Sequence, residues 1–417
     1  MSEKLAIHGG EPVRTRPFTG GNKVGKEELK ELVDVIYSGS MFRWGGTKVV
    51  AFEEEFAAIH GAQYATASTS GTSAIHVAVG MVNPSPGDEI ITGPITDMGS
   101  IVPILYQGAI PVFAECRADT FNMDPADIEA KITDRTVAIM AIHLFGNPCD
   151  MAAIMEIARR HNLPVIEDCS QAHLSEVDGK LVGTMGDIGC FSLQQSKHIT
   201  CGDGGITITN NEEFGIRGKL FMDKGWHREQ YGPRRYEVFG PNYRMNELSG
   251  AVALAQTRKM REIIATRRAR GDLLRELLAD NPHVVVQELL PGHKHTYWQF
   301  GMRVLEDAPF TADEFAAALR AEGVPCGAHY IGKPIFLCHD AVRNQRLFGD
   351  SHYPFDMASR QIVYDDTTCP RTQELLDRMV QPMCPTQFMP EEEIHDIARA
   401  IRKVSQGLGS GQPPAAR

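Results

Sequence analysis

No CxxC pair occurs among the nine cysteines, at positions 116, 149, 169, 190, 201, 326, 338, 369 and 384, so neither a zinc ribbon nor an iron–sulfur cluster is indicated and no metal site is expected. Buried, reduced thiols acting as small hydrophobes are the expectation. No stretch approaches the roughly 18 apolar residues of a membrane helix. Met1 to Pro17 has no apolar h-region, a pattern expected of a cytoplasmic chain with no membrane partner. No basic run offsets the net charge of −11 (pI ≈ 5.8), which argues against a partner made of nucleic acid. A GxGxxG fingerprint is missing too, which weakens a nicotinamide-dependent reading, and there are no internal repeats.

What is present is an ordinary globular composition of 417 residues, 42% hydrophobic and 23% charged, enough for two domains or one large α/β unit. From Thr47 onward, helix-like and strand-like segments alternate. Val49–His60, Thr72–Val82, Asp124–Lys131 and Met151–His161 read as helices. Gln63–Ala67, Glu89–Thr92, Ile110–Phe113, Thr136–His143, Pro164–Asp168, Gly189–Ser192 and Gly205–Thr209 read as strands. Such alternation predicts an α/β fold with a mainly parallel sheet. The long helical run Asn246–Asp280 carries the chain out of that unit. The expected organisation is a large domain over 1–265 with an N-terminal arm, then a smaller α+β domain over 266–406. The latter holds strand-like Trp298–Val304 and helical Thr311–Glu322 and Glu391–Ser405. Residues 407–417 (GLGSGQPPAAR) read as a disordered tail.

Three motifs carry chemistry. Thr69-Ser70-Gly71-Thr72-Ser73 opens a helix, where free N–H groups and hydroxyls either hold an anion or simply cap the helix. The apolar run Leu163–Glu167 delivers Asp168 to the carboxyl end of a strand, where ligands of open α/β sheets bind. A buried carboxylate there needs a cation, unless it only caps the next turn. Lys197 lies between the strand ending at Ser192 and the turn Cys201-Gly202-Asp203-Gly204-Gly205. One lysine held this way is an arrangement that pyridoxal phosphate enzymes use for a Schiff base. Each motif alone has a structural explanation; their order along the chain outweighs those explanations.

These motifs, with Leu5–Pro12, Gly108–Phe113, Gln171-Ala172-His173 and Asn242-Tyr243-Arg244-Met245, resemble the sugar and aminocyclitol aminotransferases, a fold-type I pyridoxal phosphate family of the aspartate aminotransferase superfamily. The resemblance covers nearly the whole chain. It implies that Lys197 forms the Schiff base and moves protons, that Asp168 meets the pyridine nitrogen, and that Gln171 meets the ring face or hydroxyl. Thr72, Ser73 and Ser192 would hold the phosphate. Asn242 resembles an asparagine that reaches the phosphate of a neighbouring subunit, implying a homodimer with composite sites.

Phe42–Gly46 and Ser192-Leu193-Gln194-Gln195 look more like the branch acting on carbocyclic ketones, which includes scyllo-inosose aminotransferases and aminohydroxybenzoate synthases. Nucleotide-sugar enzymes more often show His-Pro where Gln194-Gln195 stand. The expected reaction passes an amino group from glutamine or glutamate to a cyclic ketone, with pyridoxamine phosphate as the intermediate carrier. Arg43, Arg244 and Lys333 are candidates for the donor carboxylate. Trp44, His143, His173, His329 and Tyr330 are further substrate candidates, each equally able to be structural. Three positions depart from the family. Met98 stands where an aromatic ring usually stacks on the cofactor, Leu174 replaces a glycine, and Asp203 replaces a glutamate. A deoxysugar dehydratase of the same fold has histidine in place of the lysine, which Lys197 argues against. A cofactor-binding protein without activity is the rival from another class.

Overall fold

The computed structural model describes residues 3–228 and 233–410. After an N-terminal arm come α1 (Lys26–Ser38) and α2 (Lys48–His60). The alternation then begins: β1 (Tyr64–Ser68), α3 (Gly71–Val82), β2 (Glu89–Thr92), α4 (Met98–Tyr106), β3 (Ile110–Phe113), α5 (Pro125–Ala130), β4 (Thr136–Ile142), α6 (Met151–His161) and β5 (Val165–Asp168). A hairpin of β6 (Glu176–Val177) and β7 (Lys180–Leu181) precedes β8 (Ile188–Ser192), β9 (Gly205–Thr209), α7 (Glu212–Met222) and the long α8 (Glu247–Leu278). The remainder holds β10 (Val284–Val286), β11 (His293–Lys294), β12 (Met302–Val304), α9 (Ala312–Ala321), β13 (Cys326–Ala328), α10 (Asp340–Arg343), α11 (Pro370–Arg378), β14 (Met379–Pro382) and α12 (Glu391–Gly409).

Seven strands form the central sheet in the order β1-β9-β8-β5-β4-β2-β3. Every neighbouring pair is parallel except the two made by β9, which runs against both β1 and β8. Strands β2, β3, β5, β8 and β9 are buried at every position, as a sheet covered on both faces requires. Ile75, Val79 and Phe221 pack on one face against Met140, Ile166 and Ile188. Ile154 and Ile157 cover Ile91, Ile139 and Val165 on the other. Polar side chains set the helix starts: Ser70, Asp97, Asp150 and Asn246 each accept a backbone N–H of the turn they open.

A second body is built from the sheet β10-β12-β14-β13, with α9 and α12 packed on it through Phe315, Leu319, Ile397 and Ile401. Its packing departs from the expected division at the arm, at 331–369 and at 407–409, while helix α8 runs unbroken through residue 265, in line with the long helical run expected there. Leu5 of the N-terminal arm is fully buried in the second core, and Arg14 pairs there with Glu393 and Asp396, so the arm belongs to the C-terminal body. The stretch 331–369, expected in the small domain, instead lays Ile335, Phe336, Phe355 and Tyr364 against Ile101, Ile110 and Phe113 of the large one. Residues 407–409, expected as tail, continue α12, with Gly407 buried beside Leu5; 411–417 lie outside the described residues.

Helices α1, α4, α7, α10 and α11 have no counterpart in the sequence reading. In α4 the interior Pro103 masks the helical signal. In α1 the pattern is inverted: Glu28 and Glu31 are buried, while Leu29, Val33, Ile36 and Tyr37 are exposed. All nine cysteines are free; six are buried, Cys201 and Cys384 are half-buried, and Cys338 is exposed, against expectation.

Candidate active site

The carboxyl ends of β5 and β8 and the first turn of α3 surround one cavity of about 370 Å³. Gly71 and Thr72 line it from α3, Asp168, Ser170 and Gln171 from the end of β5, and Ser192, Gln194, Ser196 and Lys197 from the loop after β8. Local geometry explains two glycines here. A Cβ on Gly71 would lie 2.6 Å from the Cβ of Ser192, and one on Gly205 would lie 2.1 Å from the carbonyl oxygen of Ser70. The strand end and the helix start therefore approach closely only because both side chains are missing. That approach sets the Ser192 hydroxyl beside the free N–H groups of α3, which form a cradle for an anion.

Asp168 is buried, and both its oxygens are engaged. The Ser100 hydroxyl donates to one at 2.7 Å and the Ser170 N–H to the other at 3.0 Å. These bonds fix the orientation of the carboxylate. Lys197 enters the same cavity. Burial pushes its amine below the usual lysine range, against the pull of Asp168 and Asp97. Its Nζ lies 4.0 Å from the centre of the Trp298 ring. Gln171 accepts the Phe145 N–H through its side-chain oxygen at 2.8 Å.

Several expected residues stand elsewhere. The Ser73 hydroxyl accepts the Ser70 N–H at 2.7 Å and donates to the Ser70 carbonyl at 2.8 Å, so it is consumed in the cap and does not line the cavity. Met98 packs with Val102, Leu105 and Tyr106 in a separate groove, and the start of α4 and the two residues before it contribute Thr96, Asp97, Gly99 and Ser100 to the cavity instead. Arg43 makes a buried two-pronged pair with Glu53 (2.8 and 2.7 Å), which leaves no free fork for a donor carboxylate. Trp44 donates to Asp223 at 3.0 Å, and Arg244 pairs with the same carboxylate. Although burial works against it, Arg228, Arg244 and Lys224 hold Asp223 down to about 2. Asn242 is exposed and outside the cavity, as is Lys333.

His143 is fully buried. Its Nδ1 accepts the Cys149 N–H at 3.0 Å, which leaves Nε2–H to donate to Glu167 at 3.0 Å. Ligand atoms of His143, Glu167 and Cys169 lie within 4.8 Å of one another, but Glu167 also accepts the N–H groups of Gly183, Met185 and Gly186. The trio is thus a saturated brace behind Asp168. His173 is buried between Phe191 and His198, and burial, aided by the charges of His60, Lys197 and Lys23, pushes it down to about 3. His329 pairs with Asp313 at 3.0 Å, outside the cavity. Of the substrate candidates only Tyr330 lines the cavity, edge-on to Phe145, with its phenol pushed up to about 12 by burial.

Trp298, Ser100 and Ser170 were not foreseen. Ser100 follows Asp97 at the start of α4, so its helix start was readable; Trp298 lies about a hundred residues from Lys197 with no local signal. Leu174 lies in the left-handed region (φ 55°), which favours glycine, and is buried against its neighbours. Asp203 lines the cavity.

The sequence pattern of the DegT/DnrJ/EryC1/StrS aminotransferase family matches residues 22–402. The chain is 31% identical over 431 aligned positions to the L-glutamine:2-deoxy-scyllo-inosose aminotransferase of Streptoalloteichus tenebrarius, across 98% of this chain and 99% of that one. It is 39% identical over 289 positions to GDP-perosamine synthase of Escherichia coli O157:H7, across 69% of this chain and 76% of the relative. The solved structure of 3-amino-5-hydroxybenzoic acid synthase superposes with a TM-score of 0.82 at 28% identity, covering 94% of this chain and 100% of that one.

Proposed function

Because the chain belongs to the DegT/DnrJ/EryC1/StrS aminotransferase family, we propose that it transfers the amino group of L-glutamine or L-glutamate to a cyclitol ketone such as scyllo-inosose, using pyridoxal phosphate. One observation carries the reading: a buried carboxylate held by hydrogen bonds, an amine lowered by burial and an anion cradle converge on one cavity. These residues fit the cofactor. Thr72, Ser192 and the α3 N–H groups would take its phosphate, Asp168 its pyridine nitrogen, and Gln171, whose oxygen is already engaged, would offer its amide N–H groups to the ring hydroxyl.

When bound, the cofactor supplies an electron sink for charge developing at the carbon that carries the amine. Asp168, oriented by Ser100 and Ser170, would face the positive charge that makes this possible. Lys197 is the group that takes and returns the proton, and its lowered affinity for that proton suits a base working near neutral pH. Trp298, Tyr330 and Ile75 supply apolar surface to the cavity it enters. Gln194 lines the cavity and suits a small, hydroxyl-rich ring better than an imidazole would.

The protein works as a homodimer in this reading. The apolar residues Leu29, Val33, Ile36 and Tyr37 fall on one exposed face of α1, the face a second copy would cover. Asn242, unused by its own cavity, would then serve the neighbouring site. The likeness to GDP-perosamine synthase supports a second reading, in which the acceptor is a nucleotide-linked keto sugar.

The test is the visible absorption of the cofactor-loaded protein. L-Glutamine should bleach its yellow band, and scyllo-inosose should restore it. A band restored only by a nucleotide keto sugar would select the second reading, whereas one unmoved by any amino donor would overturn the transfer.

A further inference from the structure

The loop that carries Lys197 is gripped from outside through three consecutive backbone carbonyls. The Lys23 ammonium donates to the Gln195 carbonyl at 3.0 Å and to the carbonyl of Lys197 itself. Between these, the Trp298 indole N–H donates to the Ser196 carbonyl at 3.1 Å. Lys23 comes from the N-terminal arm just before α1, more than 170 residues away in the chain. It is itself anchored, because its own carbonyl accepts from Gln256 at 2.7 Å and Lys259 at 3.3 Å on α8. Gln256 also accepts the Thr200 N–H at 3.2 Å, closing a ring from arm to helix to lysine loop.

We propose that Lys23 is a positioning residue for the reactive lysine: its ammonium fixes the backbone on both sides of Ser196 and sets a second positive charge beside Lys197. Two consequences follow. Held at residues 195 and 197, the loop delivers the Lys197 side chain to the cavity in one orientation. Like charges close together also each lose affinity for the proton. Burial, together with the charges of Arg267 and Lys197, brings Lys23 down to about 8, and in this proposal the Lys23 charge disfavours one on Lys197 in turn. The groups facing this pair are Arg267 and Lys259 on α8, His173 and His198 beneath the loop, and Asp97 and Asp168 across the cavity. Glu28 neutralises Lys259, and Lys23 has no carboxylate partner of its own among the described residues.

The inference rests on Lys197 being the reactive amine, and the experiment separates the two. In the cofactor-free full-length protein, Lys197 is labelled with acetic anhydride across a pH series and its reactivity read by mass spectrometry. The unaltered protein should show Lys197 titrating below an ordinary lysine; an ordinary value there would count against the function proposed above. In Lys23→Gln the titration of Lys197 should rise by about half a pH unit or more. Lys23→Arg, which keeps both the charge and the donors, should restore it. A Lys197 titration that is lowered in the unaltered protein and identical in Lys23→Gln would overturn the role of Lys23. A purely structural contribution would lower the melting temperature of Lys23→Gln without moving that titration.

Discussion

One wall of the cavity grows out of the central sheet, and the other is assembled from remote loops. On the sheet side, Asp168 ends β5, Ser192 ends β8 and Gly71 begins α3, so hydrogen-bonded strands fix their spacing. On the loop side, Trp298 and Tyr330 come from the C-terminal body, and Tyr330 sits beside His329 with both residues in the left-handed region (φ 50° and 65°). Two such residues in succession are costly and persist only where their surroundings hold them. A group that must be placed to a fraction of an ångström is built on strands, and one that only has to shape a pocket can be carried on a loop.

The sharpest test of that comparison is the loop that leaves the sheet wall after β8 and carries Lys197. Lys197→Ala should lower the rate of amino-group loss from glutamine by at least about 10³-fold with the fold intact, measured by single-turnover absorbance. Next comes the cradle. In Gly71→Ala the added Cβ would collide with Ser192, and relieving the clash should weaken pyridoxal phosphate binding by about 10- to 100-fold, read by equilibrium titration.

The loop wall should respond least. Both ring nitrogens of His329 face acceptors, Asp313 and the Leu376 carbonyl, so the doubly protonated ring is favoured. Although partial burial opposes it, these partners raise its pKa above the ordinary 6.5. A raised folded value means that the stabilisation is complete below about pH 6.5 and fades as pH climbs through that raised value. Solvent screening limits the effect to a few tenths of a kcal/mol. Melting temperatures compared between pH 6 and pH 8 should show this small loss, and Asp313→Asn should remove it.

The same division governs how much was legible in the sequence. Asp168 and Ser192 sit at the ends of short apolar runs, which announce both the strand and where it stops, and Lys197 follows Ser192 by five residues just before a glycine turn. Ser73 shows the limit of such reading: an anion cradle and a helix cap use the same residues, and only the observed bonds separate them. Arg43 was open to a binding role because its partner Glu53, one helix later, looks like any surface glutamate of an amphipathic helix. Trp298 and Lys23 gave no signal, since what brings them to Lys197 is tertiary packing across a hundred residues or more. The inverted polarity of α1 hid that helix for a related reason, as its exposed face is written like a core.

The burial of Leu5 among Phe315, Leu319 and Ile401 has a temporal side. A chain is made from its N-terminus, at about 5–20 residues per second. Leu5 leaves the ribosome roughly 20–80 s before α12 exists to cover it. The arm is made long before the helix that covers it, and a truncation that removes Leu5 should be felt about 400 residues later, in an α12 left without its seat.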